Sequence, residues 1–190
     1  MKRLVQISLL ILPLLVVAQP SMADVNYQEY FSDQTMRLDY YHTGNATEEH
    51  FALDRMVNDG PWAGSKQQLV DELRLGKYFF ELKEPETGEV LYSRGYSSIY
   101  GEWETTGEAK EEWGVFHESL RFPWPKQKMK LVIYKRNEQQ EFKPVWSYMV
   151  DPTYRKVNPA RLNSPYSVYK VTENGDPAEA LNCYQKAVDT

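Results

Sequence analysis

Apolar and polar residues alternate in short runs along most of this chain. Thr35 to Tyr41 places Met36, Leu38 and Tyr40 on one side of an extended segment, which predicts a strand. Phe51 to Val57 reads as a second strand, and Asn58-Asp59-Gly60-Pro61 after it as a turn. Tyr78 to Leu82, the polar run Glu84 to Gly88 and then Val90 to Ser93 predict a hairpin with a longer loop. Val115 to Phe122 is strand-like and is stopped by Pro123-Trp124-Pro125. Met129 to Tyr134 and Val145 to Val150 are the most regular strands, flanking a charged loop from Lys135 to Lys143. Ser65 to Asp71 reads as a strand or one helical turn, and Thr105 or Thr106 as the cap of a short helix running to Glu112. Asp151-Pro152 and Asn158-Pro159 punctuate the exit, before a last strand candidate at Ser167 to Thr172. Short strands with turn signals about every ten residues predict an all-β fold, a single antiparallel β-sandwich with at most short helices.

The first residues follow a different pattern. Lys2 and Arg3 precede an apolar run from Leu4 to Ala18, and Ser21-Met22-Ala23 puts small residues before Asp24. This three-part order predicts a signal peptide over residues 1–23, cleaved at Ala23/Asp24. The run is shorter than the roughly 20 residues a membrane-spanning helix needs, and Pro13 interrupts it. The expectation is an exported protein, periplasmic or extracellular, with no stable membrane insertion after cleavage. Residues 24–172 then form the sandwich, and 173–190 a linker-like tail.

Composition narrows the partners. The chain carries 22 basic and 27 acidic residues, a formal charge of −5, and loss of Lys2 and Arg3 brings this to −7. No nucleic-acid partner is expected, because phosphate contacts need a basic face. The lone cysteine, Cys183, permits no internal disulfide, so the core must hold the fold.

Candidate chemistry is sparse. His42, His50 and His117 are too irregularly spaced for a recognisable zinc site, and hydrogen-bonded or surface histidines are the simpler reading. His117-Glu118-Ser119-Leu120-Arg121 carries arginine where a zinc-peptidase helix needs its second histidine. No Gly-x-Ser-x-Gly elbow or phosphate-binding loop occurs. The carboxylates Glu102, Glu104, Glu108, Glu111, Glu112 and Glu118 allow a glycosidase pair in principle, but a solvated face or pairing with Arg94 and Arg121 is the simpler account. Between Tyr92 and Lys126 aromatics are dense. Tyr96, Tyr100, Trp103 and Trp124 are candidates for an aromatic binding surface for glycan or peptide, with burial in the core as the competing account. Arg94, Glu102 and Arg121 are the polar residues singled out there, as members of a buried ion-pair network.

The order of residues carries more than their types. Met36-Arg37-Leu38-Asp39-Tyr40-Tyr41-His42-Thr43-Gly44-Asn45, Trp62-Ala63-Gly64-Ser65, Leu75-Gly76-Lys77-Tyr78 and Tyr92-Ser93-Arg94-Gly95-Tyr96-Ser97-Ser98-Ile99-Tyr100-Gly101-Glu102-Trp103 follow one another. Phe116-His117-Glu118-Ser119-Leu120-Arg121-Phe122-Pro123 and the Asp151-Pro152 exit continue the series. Together they resemble the N-terminal domain of the IgA metallopeptidase family, family 64 of the metallopeptidases. The resemblance implies a β-sandwich that accompanies a zinc peptidase domain bearing His-Glu-x-x-His ligands. None of the matched strings belongs to the peptidase site, so no catalytic or metal-binding residue carries over, and zinc is expected only in the peptidase domain. The implied role is a non-catalytic accessory domain, with a peptidase domain or protein substrate as partner. A stand-alone binding module is the alternative. Glu173-Asn174-Gly175-Asp176-Pro177 would mark the junction to such a domain.

Amino-terminal sequencing of the exported protein should return Asp24-Val25-Asn26. An intact Met1 on the exported form would remove the signal-peptide reading.

Overall fold

The computed structural model describes residues 25–161. The signal segment, the strand candidate at Ser167 to Thr172, the tail and Cys183 lie outside the described residues. A single helical turn, α1 (Tyr27–Tyr30), is capped by Asn26, whose side chain accepts from the Gln28 N–H. It leads into β1 (Phe31–Gly44), which pairs antiparallel with β2 (Glu49–Pro61). The chain then crosses to a second sheet for β3 (Tyr78–Lys83) and β4 (Val90–Tyr96), the expected hairpin. After α2 (Ile99–Trp103) and a 3-10 turn (Glu108–Lys110), β5 (Gly114–Pro125) returns to pair with β1. β6 (Met129–Arg136) pairs with β3, β7 (Phe142–Val150) with β6, and β8 (Val157–Arg161) lies beside β2. The strand orders are β5-β1-β2-β8 and β4-β3-β6-β7, and the two sheets face each other as the predicted sandwich.

Alternation sets the core. Met36, Leu38 and Tyr40 of β1 point between the sheets and are fully buried. Phe80 and Leu82 of β3, Leu131 and Ile133 of β6, and Leu120 and Phe122 of β5 meet them. A one-residue slip in any of these strands would turn the whole set to solvent, so the apolar pattern fixes the register.

Three expectations about turns and prolines need correction. Asn58-Asp59-Gly60-Pro61 is not a turn: β2 runs through it. Asn58 accepts the Gly60 N–H locally, and the β1–β2 register shifts nearby. Pro123 and Pro125 do not stop β5, because β5 pairs only with β1 among the described strands and a missing N–H on an edge costs no ladder bond. Asn158-Pro159 is likewise not an exit but part of β8, and β8 runs parallel to β2 in an otherwise antiparallel fold.

Ser65 to Asp71 is neither strand nor helix. It runs along the edge of β4 that no described strand covers, in the place of a neighbouring strand. The Leu69 carbonyl accepts from the Ser93 N–H, and the Asp71 carboxylate from the Gly95 N–H. Arg94 donates back to the carbonyls of Gln68 and Leu69. This covering strap shields an edge that would otherwise offer unpaired backbone groups. The chain stays close beyond the strap as well: a Cβ on Gly95 would sit 1.8 Å from the Leu75 carbonyl oxygen.

Gly95→Ala should therefore cost about 2 kcal/mol, the scale of overpacking against an unyielding neighbour. Gly107→Ala, at ordinary helical angles with open space around it, should cost nothing measurable. Urea unfolding of the two variants checks this, and equal stabilities would remove the close-approach argument.

Candidate functional site

The residues singled out from sequence do not converge. Arg94 sits on β4 and bonds to the strap carbonyls, with its guanidinium also 4.5 Å from the centre of the Tyr92 ring. Arg121 is on the outer face of β5, more than half exposed, and pairs with Asp59 at 2.7 Å. Glu102 projects from α2 into solvent. They form no common ion-pair network: two lie on different sheets and the third on the exposed side of a helix. Nor do the four aromatics make an open surface. Tyr100 is fully buried and donates to the carbonyls of Asn45 and Glu48. Trp103 packs on Tyr100 and Phe116, and Tyr96 lies against Tyr78 and Phe80. Trp124 is half-buried against the core.

The three histidines are also apart. His42 faces the interior, while His50 and His117 lie on the opposite side of the same sheet. His50 pairs with Glu48 and stacks on Trp113, and His117 pairs with Asp54. In β5 adjacent residues face opposite ways, so His117 and Glu118 cannot act together. Glu118 points inward.

What the structure does assemble is a charged cluster between the sheets. His42 is completely buried, its ring sandwiched by Phe51 at 4.1 Å and Tyr100 at 3.9 Å. Its Nδ1 lies 3.2 Å from Glu118 Oε2 and its Nε2 3.0 Å from Glu49 Oε2. Glu118 also accepts from the Tyr40 hydroxyl and the Tyr100 N–H, and Glu49 from the Tyr78 hydroxyl. Lys135 bridges Glu49 at 3.1 Å to Glu104 at 2.7 Å. Lys77 stands 2.6 Å from the other Glu104 oxygen, an ion pair whose geometry falls short of a hydrogen bond, and donates to the Gly101 carbonyl.

Protonation follows from this geometry. A neutral imidazole donates through one nitrogen only and would aim the lone pair of the other at a carboxylate. Burial pulls the His42 pKa down, but the bonds to Glu118 and Glu49 outweigh it and the pKa is raised. Burial pushes Glu49 up, and His42, Lys135 and Tyr78 more than reverse this, so it is lowered. Glu118 is likewise lowered, burial being overcome by His42, the Tyr100 N–H and Tyr40. With His42 charged, its cation and those of Lys77 and Lys135 match the anions Glu49, Glu104 and Glu118. The cluster is neutral, its imidazole and carboxylates are largely withdrawn from water, and every one of its carboxylates is already partnered.

A second group, on the outer face of the same sheet, brings ligand atoms of Asp39, Asp54 and His117 within 4.8 Å of one another. Asp39 is buried beneath Arg37 and Arg55 and accepts from both, and from Ser119. With two guanidiniums already bonded to Asp39, this reads as an arginine–aspartate lattice. An open depression of about 450 Å³ is lined by Lys77, Lys135 and Lys143, which are ion-paired, and by Arg136, which donates to the Gly76 carbonyl.

Sequence reasoning missed His42, Glu49 and Glu118 as a unit. The signal was present: His42 follows Met36, Leu38 and Tyr40 in phase, Glu118 keeps step with Phe116, Leu120 and Phe122, and Glu49 with Phe51 and Leu53. A charged residue in the apolar phase of a strand must be paired inside or break the fold.

A family model described as Peptidase M64 N-terminus matches residues 26–147, and the chain belongs to that family. No curated protein matches. The match covers the sandwich from α1 to within β7 and includes His42, Glu49, Glu104, Glu118 and Lys135.

Stability should depend on pH from both sides. The His42 contribution is full below its unfolded pKa, near 6.5, and declines as pH rises through the raised folded value. The contributions of Glu49 and Glu118 are full above about 4.5 and decline as pH falls through their lowered folded values. His42→Gln should cost about 3–5 kcal/mol by stranding two carboxylates, and should abolish the alkaline decline. Nitrogen-correlated NMR of the His42 ring at pH 7 should show both nitrogens protonated. A single protonated nitrogen would contradict the imidazolium assignment.

Proposed function

We propose that this member of the peptidase M64 N-terminal family is a non-catalytic accessory domain of an exported zinc-metallopeptidase-like protein. It supports a peptidase domain or presents a protein substrate to it. The observation that carries this reading is the family match itself: it falls on the sandwich, and it is to the N-terminal part of a peptidase rather than to its catalytic part. The chemistry of the described residues supports it. Its buried ionisable side chains are engaged in pairs that neutralise one another, an arrangement suited to holding two sheets in register rather than to transferring protons to a substrate. Zinc, on this reading, belongs to the peptidase domain.

Export is supported by the basic, apolar and small-residue order of the first residues. No described helix is long and apolar enough to cross a membrane. The net acidic charge argues against a nucleic-acid partner. The alternative, a stand-alone module gripping glycan or peptide through Tyr96, Tyr100, Trp103 and Trp124, has no support in the packing of those rings.

The mature chain, residues 24–190, should leave unfolded protein substrates intact in the presence of added zinc. Chelator-sensitive cleavage by the purified chain would overturn the accessory reading.

A further inference from the structure

The two sheets present unlike faces to solvent. The second sheet carries lysines on its outer side, with Lys83 directly opposite Lys130. The outer positions of β5, β1 and β2 carry none. They hold Arg37, Arg55 and Arg121, and at the far end Val115 and Tyr41, 66% and 42% exposed, beside Trp113 just ahead of β5, 54% exposed. The aromatics are propped from one side only. Trp113 stacks on His50 at 5.8 Å with the planes 11° apart, and Tyr41 lies 5.1 Å from the His117 ring. Their other faces meet water.

Charge on this face cancels internally. Arg37 pairs with Asp39 and Asp59, Arg55 with Asp39 and Asp54, and Arg121 with Asp59. The guanidiniums are held in place at no net charge, on a chain that is acidic as a whole.

We propose that this face of the first sheet is the docking surface for the folded peptidase domain, an inference that rests on the accessory reading above. Exposed Trp and Tyr with arginine and without lysine is the composition of a protein–protein contact. A neutral, self-paired surface suits a partner held nearby rather than one steered from a distance. Size points the same way. From Trp113 to Arg121 the face runs about 26 Å and spans three strands, roughly 400 Å² in all. That is about half of what a freely associating partner needs per side. It falls in the range of contacts between domains of one chain, about 300–750 Å² per side. A tethered domain therefore fits better than a second copy. β8, which holds the last described residue, belongs to this same sheet.

The test fuses a zinc peptidase domain from a two-domain member of the family after Thr190. Amide hydrogen exchange is then compared between the fusion and the mature chain. Exchange in β5 around Val115 and His117 should slow by about tenfold or more in the fusion, with the outer face of the second sheet unchanged. Tyr41→Arg with Val115→Arg should remove that protection, whereas Lys83→Glu should not. Both positions are exposed, and unchanged thermal unfolding of the isolated variants confirms that they fold. Protection that falls elsewhere on the sandwich, or survives the double variant, overturns the docking face and leaves the accessory reading standing. No protection anywhere in the fusion overturns both. Self-association of the mature chain that the double variant abolishes assigns the face to a second copy and overturns the proposal.

Discussion

A single imidazolium, held between two carboxylates, ties this sandwich together. Burying His42 with its charge is costly, and so is burying Glu49 or Glu118. Only their simultaneous arrival, with Lys135 and Glu104 behind them, makes the interior neutral. The contributing residues come from β1, β2, β5, β6 and the end of α2, so the cluster specifies which strands lie across from which. Apolar alternation alone would leave that choice to shape. The tyrosines complete the arrangement: Tyr40 and Tyr78 place hydroxyls on carboxylates and rings in the core, and so belong to both environments.

The outer arginine–aspartate lattice repeats this logic on the other side of the same strands. Asp39 is almost wholly buried on a face that should be wet, because Arg37 and Arg55 lie across it. Burial would push its carboxyl up, but Arg37, Ser119 and Arg55 overcome this and hold it below the usual carboxylate range. β1 is thus pinned by ion pairs on both faces and by ladders on both edges. The proposed docking face is the outer surface of this strand and its neighbours.

Sequence conveyed the architecture well and the charged interior poorly. The all-β sandwich followed from alternation at Met36, Leu38 and Tyr40 and from the hairpin around Glu84 to Gly88. Strand ends were misread where Pro123, Pro125, Asn158 and Pro159 lie, since a proline's meaning depends on whether its strand is an edge, which is a tertiary fact. The strap from Ser65 to Asp71 carries no periodicity, because it earns its place through backbone contacts to β4. Arg94, Glu102 and Arg121 attracted notice as charges among aromatics, yet proximity in sequence said nothing about which face each would take. Counting phase along each strand separates Glu118 from His117 and would have brought Glu118, His42 and Glu49 to one interior.

The lattice around His42 also bears on the order of events in folding. Its members are drawn from positions as far apart as His42 and Lys135, on strands that belong to different sheets. A half-assembled chain would bear the desolvation of some of these charges without the partners that offset it. If such intermediates are disfavoured on that account, the cluster would close after the rate-limiting barrier rather than before it. Interactions made that late slow unfolding more than they speed folding. Refolding and unfolding rates of a His42 variant would reveal this as a change confined to the unfolding limb. The domain's endurance would then be a property of its escape rate from the native state, set by one histidine.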